Sequence, residues 1–231
     1  MKKTLTILLL AAGAVCNNAK AQVRFAPEAG INLNKPSYTA DAGLFGPGVT
    51  YSTSTSMSIG LKVGVVADLG ISEHFSVQPG IFYSMKGGKT TYDINAFIIS
   101  LSAEQTTKLN YIDIPVMALY KFDVGPGKLF AGIGPNVGIG IGGQIKTSVL
   151  GIDSTSDVEF GSDSGQIKRI DFGGNVNVGY ELPMGLYLRL SYNMGFANLS
   201  NVPVETYKNM GFGVSVGYMF GNKAKKVGST K

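Results

Sequence analysis

Residues 169–182, "RIDFGGNVNVGYEL", alternate almost without interruption. Ile170, Phe172, Val176, Val178, Tyr180 and Leu182 share one face, with Gly174 as the gap, while Arg169, Asp171, Gly173, Asn175, Asn177, Gly179 and Glu181 share the other. A period of two is the signature of a β-strand with two unlike faces. A soluble barrel turns the oily face inward; a membrane barrel turns it outward.

The pattern recurs in eight segments: 23–34, 57–69, 74–86, 109–122, 128–141, 169–182, 186–198 and 208–220. In 186–198, for example, Leu186, Leu188, Leu190, Tyr192, Met194 and Phe196 oppose Tyr187, Arg189, Ser191, Asn193 and Gly195. The connections alternate in length. Residues 70–73, 123–127 and 183–185 read as tight turns with Gly70, Gly125, Pro126, Gly127, Pro183 and Gly185. Residues 35–56, 87–108 and 142–168 are long and rich in Ser, Thr, Gly and Asp, and 199–207 is a shorter fourth loop. A 13-residue strand rises roughly 43 Å, or roughly 33 Å of height at a tilt of about 40°, enough for an outward apolar band of about 25 Å and its interfaces.

Three features choose the inverted arrangement over a lipocalin-like one. The apolar face is essentially free of charge, and the opposite face mixes charges with glycines that could not fill an oily core. Aromatics collect near the strand ends: Phe25, Phe75, Phe122, Tyr180, Tyr218 and Phe220 toward the turns, and Tyr83, Phe172, Tyr192, Phe196 and Phe212 toward the loops. Aromatic girdles belong at membrane interfaces. The expected fold is therefore an all-β, eight-stranded antiparallel up-and-down transmembrane β-barrel with short periplasmic turns and long extracellular loops. Its lipid-facing aromatics are Phe172, Tyr180, Tyr192, Phe196, Phe212, Tyr218 and Phe220.

The ends fit an exported chain. Lys2 and Lys3 precede the apolar run 5–15, and Ala19 and Ala21 precede Gln22, so 1–21 reads as a signal peptide with an Ala-x-Ala cleavage site. The run is too short to span a membrane as a helix. Cys16, the only cysteine, lies in this segment after Val15, which argues against lipidation and leaves residues 22–231 without a thiol. Lys2, Lys3 and Lys20 leave with the leader and no acid does, so the formal charge falls from +5 to +2. The barrel is assigned to 22–220, and 221–231 reads as a basic, disordered periplasmic tail with four lysines. There is no basic face for nucleic acid. An even strand count puts both termini on the periplasmic side.

Glu28, Lys62, Asp68, Lys86, Asp113, Lys121, Arg169, Asp171, Glu181 and Arg189 fall on polar faces, five acids against five bases. An eight-stranded barrel is just wide enough for side chains to fill it, so this balance predicts an internal ion-pair network and an occluded lumen. The other reading is a polar conduit or proton path. His74, the sole histidine, sits beside a tight turn with Ser72 and Glu73 but with no converging triad or metal set. Asp153, Asp157, Glu159 and Asp163 cluster in the third long loop without EF-hand spacing and read as a solvated acidic loop. Residues 94–103, "INAFIISLSA", are apolar inside a long loop and read as an extended hairpin, with a partner surface as the alternative. Pro27, Pro79, Pro115 and Pro135 fall inside predicted strands and demand bulges or local breaks in the ladder.

Four segments in order, "FSVQPGIFYSMKGGK" (75–89), "YIDIPVMALYKF" (111–122), "GKLFAGIGPNVGIGI" (127–141) and "ELPMGLYLRLSYNMGFANL" (181–199), resemble the PorT-like outer-membrane β-barrel family, also described as a porin family or outer membrane protein beta-barrel domain. The resemblance implies an outer-membrane barrel of a Gram-negative bacterium. It brings no catalytic motif and no cofactor, and it points to a link with protein secretion. The expected role is a non-catalytic envelope scaffold or interaction protein. Its expected partners are outer-membrane lipids including lipopolysaccharide, the barrel-assembly machinery and secretion or envelope proteins. The alternatives are a narrow channel for small polar solutes or ions and, second, an outer-membrane enzyme.

Overall fold

The computed structural model describes residues 23–40, 49–96, 99–203 and 205–221; the leader and the tail beyond Gly221 lie outside them. In chain order the strands are β1 (Val23–Asn34), β2 (Ser37–Ala40), β3 (Val49–Ser56), β4 (Ser58–Gly70), β5 (Phe75–Ala96), β6 (Ile99–Val124), β7 (Gly127–Val149), β8 (Ile152–Asp157), β9 (Ile170–Glu181), β10 (Leu186–Gly195), β11 (Glu205–Lys208) and β12 (Met210–Tyr218). No helix occurs among the described residues.

Eight of these strands close a ring. β1 pairs with β4, β4 with β5, β5 with β6, β6 with β7, β7 with β9, β9 with β10, β10 with β12, and β12 returns to β1, all antiparallel. Closure removes the free edges. Phe25 and Phe220 extend the closing seam by exchanging both backbone hydrogen bonds, at 3.0 and 2.7 Å. The predicted segments correspond to these eight strands in order.

Burial answers which face meets which surroundings. On the ring, Ile133 is 65% exposed and Ile59 74%, whereas Glu28 is 2% exposed and Asp68 1%. The apolar face points outward and the charges point into the lumen, the inverse of a soluble barrel. Inward glycines make room for the rings that fill the lumen: a Cβ at Gly217 would lie 2.3 Å from the Tyr187 ring, and one at Gly179 would lie 2.3 Å from Phe130. At the β6–β7 turn, Gly125 takes φ 59° ahead of Pro126, the conformation a two-residue hairpin with glycine first requires.

Each of the four prolines breaks one ladder for two residue pairs and leaves the register unchanged. The pairing of β1 with β12 resumes at Glu28 after Pro27, and that of β4 with β5 skips the pair at Pro79. The pairing of β5 with β6 skips the pair at Pro115, and that of β6 with β7 skips the pair at Pro135. A missing N–H interrupts a ladder without shifting it. The register shift lies elsewhere, between Asn110 and Tyr111 opposite Ile141.

Much of what reads as long loop is sheet. β5, β6 and β7 run 22, 26 and 23 residues, far beyond the 9 to 13 of the other ring strands. β3 pairs with the end of β5, and β8 with the end of β7, so a five-stranded wall stands above one side of the mouth. The stretch 94–103 belongs to the β5–β6 hairpin of this wall, apart from residues 97 and 98, which lie outside the described set. Threonine, tyrosine and isoleucine, all strand-favouring, outweigh the loop-like composition there. β2 and β11 form a separate two-stranded ribbon at the same end.

Candidate functional site

The polar residues of the lumen fall into three tiers. Nearest the turns, Arg24 reaches two acids from β1: Nη2 stands 2.6 Å from Asp68 Oδ2, and Nη1 stands 2.5 Å from Glu181 Oε1. Lys121 Nζ lies 2.5 Å from the same Asp68 oxygen. In the middle, Glu28 accepts from Ser215 Oγ at 2.7 Å, Tyr187 OH at 2.8 Å and Lys62 Nζ at 3.1 Å, and Arg189 Nη1 stands 3.3 Å away. Arg189 also donates to Gln78 and lies over the rings of Phe130 and Tyr187, 5.5 and 5.3 Å from their centroids. Near the loops, Lys86 Nζ bridges Asp113 at 2.8 Å and Asp171 at 3.1 Å. Asn136 donates to Asp113 at 3.2 Å, and Asn209 donates to Asp171 at 3.0 Å. Taking these charges out of water is costly, and each tier offsets the cost with short, oppositely charged contacts.

Nine of the ten charges singled out in the sequence meet here: Glu28, Lys62, Asp68, Lys86, Asp113, Lys121, Asp171, Glu181 and Arg189. Arg169 does not. It precedes the first residue of β9, is exposed at the mouth, and stands 5.8 Å from the Phe160 ring. Arg24 restores the balance of five and five. The alternation carries its signal, since Arg24 has the parity of Glu28 in segment 23–34. Gln78, Ser215 and the lumen asparagines are neutral, so charge pattern does not find them.

Side chains fill most of the lumen. Phe82, Phe130 and Tyr187 are buried in it, and Lys62 Nζ lies 4.1 Å from the centroid of Phe82. Small cavities remain among the described residues, and two of them lie beside the ion pairs. One, toward the loops between Phe82 and Asn209, offers about 30 Å³ of room for water centres; the other, beside Arg189 and Glu181, offers about 10 Å³. On that measure one water needs about 10–15 Å³.

The other candidates stay apart. His74 is exposed and stacks on Tyr120 at 5.9 Å, while Ser72 Oγ accepts the Phe75 N–H. The loop acids take separate partners: Asp153 pairs with Lys146 at 2.7 Å, Asp157 with Gln144 at 3.4 Å and Glu159 with Gln166 at 3.4 Å, while Asp163 lies at the Gln166 turn. Among the described residues no group of three or more His, Cys, Asp or Glu is placed to hold a metal.

Outside, Tyr218 and Phe220 meet edge-on at 4.6 Å near the turns, where Tyr180 OH donates to the Val124 carbonyl at 2.8 Å. Near the loops Tyr192 packs on Phe212 at 4.8 Å and Phe172 on Phe196 at 6.1 Å. Phe212 lies on β12 and Phe220 two residues past its end, in a bridge to Phe25; eight residues of extended chain span about 26 Å, or about 20 Å of height at the usual tilt.

A family profile described as "Outer membrane protein beta-barrel domain" matches residues 17–201. The chain belongs to that family. The protein is thus a bacterial outer-membrane β-barrel. Among solved structures it is similar to Ail of Yersinia pestis, at 10% identity and TM-score 0.41, covering 86% of this chain and 99% of that one. It is similar to the Neisserial surface protein NspA at 16% identity and TM-score 0.41, covering 85% and 97%. It is also similar to OprG of Pseudomonas aeruginosa at 12% identity and TM-score 0.45, covering 87% and 98%. No curated protein matches.

Proposed function

We propose that this barrel is a non-catalytic scaffold or interaction protein of the outer membrane, and that it works through its loop-end wall rather than through its lumen. The observation that carries the reading is the contrast between the two ends of the molecule. The lumen is packed with Phe82, Phe130, Tyr187 and paired charges, whereas the wall of β3, β5, β6, β7 and β8 presents Ile152 of β8, and Leu150 in the turn that joins β7 to it, to solvent. Large exposed apolar side chains beyond a membrane band favour a protein or lipid partner. In this reading residues 1–21 are a cleaved signal peptide, both termini and the three turns are periplasmic, and the wall is extracellular. The resemblance of 75–89, 111–122, 127–141 and 181–199 to PorT-like barrels supports an envelope partner, with a secretion complex as the first to test. Outer-membrane lipids, lipopolysaccharide among them, surround the aromatic bands.

A second reading, a narrow channel, rests on the water-sized cavity toward the loops and the charges that line it. One experiment separates the two. Residues 22–231 are refolded into a planar bilayer, beside Arg189→Ala and Asp171→Ala variants. Inserted barrels that stay silent are the expected result. Discrete openings whose size or ion selectivity the two substitutions alter would replace the scaffold reading with the channel.

A further inference from the structure

β8 is the outermost strand on its side of the wall, and among the described residues it pairs with β7 alone. All six of its residues are exposed, Ile152 at 76%. It turns back from β7 through Leu150 and Gly151, whose φ values of 52° and 81° are those of a tight two-residue hairpin. Just past its end, the Val158 N–H donates to the Gly143 carbonyl at 3.0 Å. Residues that exchange hydrogen bonds alternate along an antiparallel pair. Ser156, Ser154 and Ile152 therefore exchange theirs with Ile145, Thr147 and Val149. The backbone N–H and C=O groups of Asp153, Thr155 and Asp157 point the other way, along a free edge. Such an edge is a template for one more strand.

Charge decides which strand. Asp153, Thr155 and Asp157 put their side chains on one face, since a strand alternates. Asp153 already pairs with Lys146 at 2.7 Å, but both side chains stay about half exposed, and Asp157 meets the neutral Gln144 at 3.4 Å. Glu159 and Asp163 follow, and no lysine or arginine lies between Lys146 and Lys168. We propose that the free edge of β8 takes up one extended segment of a protein partner, with basic residues at positions i and i+4 of that segment set opposite Asp157 and Asp153. Opposite charges across a ladder stabilise it and like charges oppose it. A second copy in the same membrane does not fit. Its β8 would point the same way and cross this one at twice the usual strand tilt, about 70–90°, where paired strands differ by about 20–25°. It would also set carboxylates against carboxylates. β3, at the far side of the wall, carries no charge and offers no such code. This partner rests on the wall as the interaction face and gives that face a chemistry.

The probe is a capped fluorescent heptapeptide of threonine and valine with lysine at its second and sixth positions; a counterpart carries glutamate there. Residues 22–231, refolded in an uncharged detergent, are titrated into each, and binding is read as fluorescence anisotropy. The lysine peptide is expected to bind and the glutamate peptide to fail. Methylating the backbone nitrogens of residues two, four and six, which would face β8, keeps the charge and removes the ladder, and is expected to weaken binding about tenfold or more. Thr155→Pro blocks the same edge without removing a hydrogen bond to β7, because the Thr155 N–H points outward, and should do the same. Asp153→Lys together with Asp157→Lys should exchange the preference between the two peptides. The compact gel band checks that each variant is folded, and the methylated peptide tests the edge on the unaltered protein. Undiminished binding of the methylated peptide, indifference to Thr155→Pro in a folded barrel, or no binding of the lysine peptide overturns the edge. None of these outcomes touches the scaffold reading, which falls only to channel openings in the bilayer.

Discussion

Arg24 shows how one residue ties distant strands together. Its guanidinium joins Asp68 of β4 to Glu181 of β9 from its place on β1. Arg24→Ala would leave Glu181 without that partner and Asp68 with Lys121 alone, both carboxylates staying buried. Breaking a buried pair in this way costs about 3–5 kcal/mol. The expected result is a lower urea midpoint for loss of the compact gel band. Arg24→Lys should recover only part of it, because an ammonium lacks the fork that spans two acids. At this scale the sequence was legible wherever charge and parity coincided: nine lumen charges could be placed from alternation alone. Arg169 could not, since parity says which way a residue points only while the strand lasts, and β9 begins one residue later. Asn209 and Gln78 were hidden for another reason: a neutral amide looks the same in a lumen as in a loop.

At the level of the element, the ribbon of β2 and β11 shows that the loop end is ordered by burial as well as by ladders. Tyr38 OH donates to Glu205 at 3.0 Å, and the Tyr38 ring meets Tyr92 edge-on at 5.8 Å. Burial pushes the Tyr38 hydroxyl above the ordinary tyrosine range, as does the neighbouring Tyr92. Burial does the same for Tyr207, helped by the charge of Asp171. A raised folded pKa means that this contribution to stability is full below the unfolded value of about 10 and is lost as pH rises beyond it. In an absorbance titration of phenolate, Tyr38→Phe and Tyr207→Phe should leave the amplitude below about pH 11 unchanged; a smaller amplitude in either variant would mean that its tyrosine titrates freely. Strand order and turns were readable because period two and Gly–Pro punctuation are local signals. The wall was readable only at 94–103. Elsewhere its strands look like loop, because Ser and Thr sit on both faces, as in β3, and leave no apolar alternation to read.

For the whole molecule, closure is the property to test. A ring without free edges and with buried ion pairs should resist detergent until heated. The refolded chain is therefore expected to migrate differently on a gel before and after boiling, and identical mobility would count against a closed barrel. Closure also explains why topology was legible: eight alternating segments with short and long connections admit few other arrangements. The height of the wall was not, because β5, β6 and β7 continue past the membrane band under no lipid constraint. That unequal growth gives the molecule a bearing. A plain cylinder presents the same profile to every neighbour in the plane of the membrane, whereas here three adjacent ring strands rise and the other five stop. A partner approaching along the bilayer meets a tall face from one azimuth and a low rim from the opposite one. Rotation about the barrel axis thus becomes a coordinate that binding can read, and a complex built on this protein would carry a defined orientation as well as a defined depth.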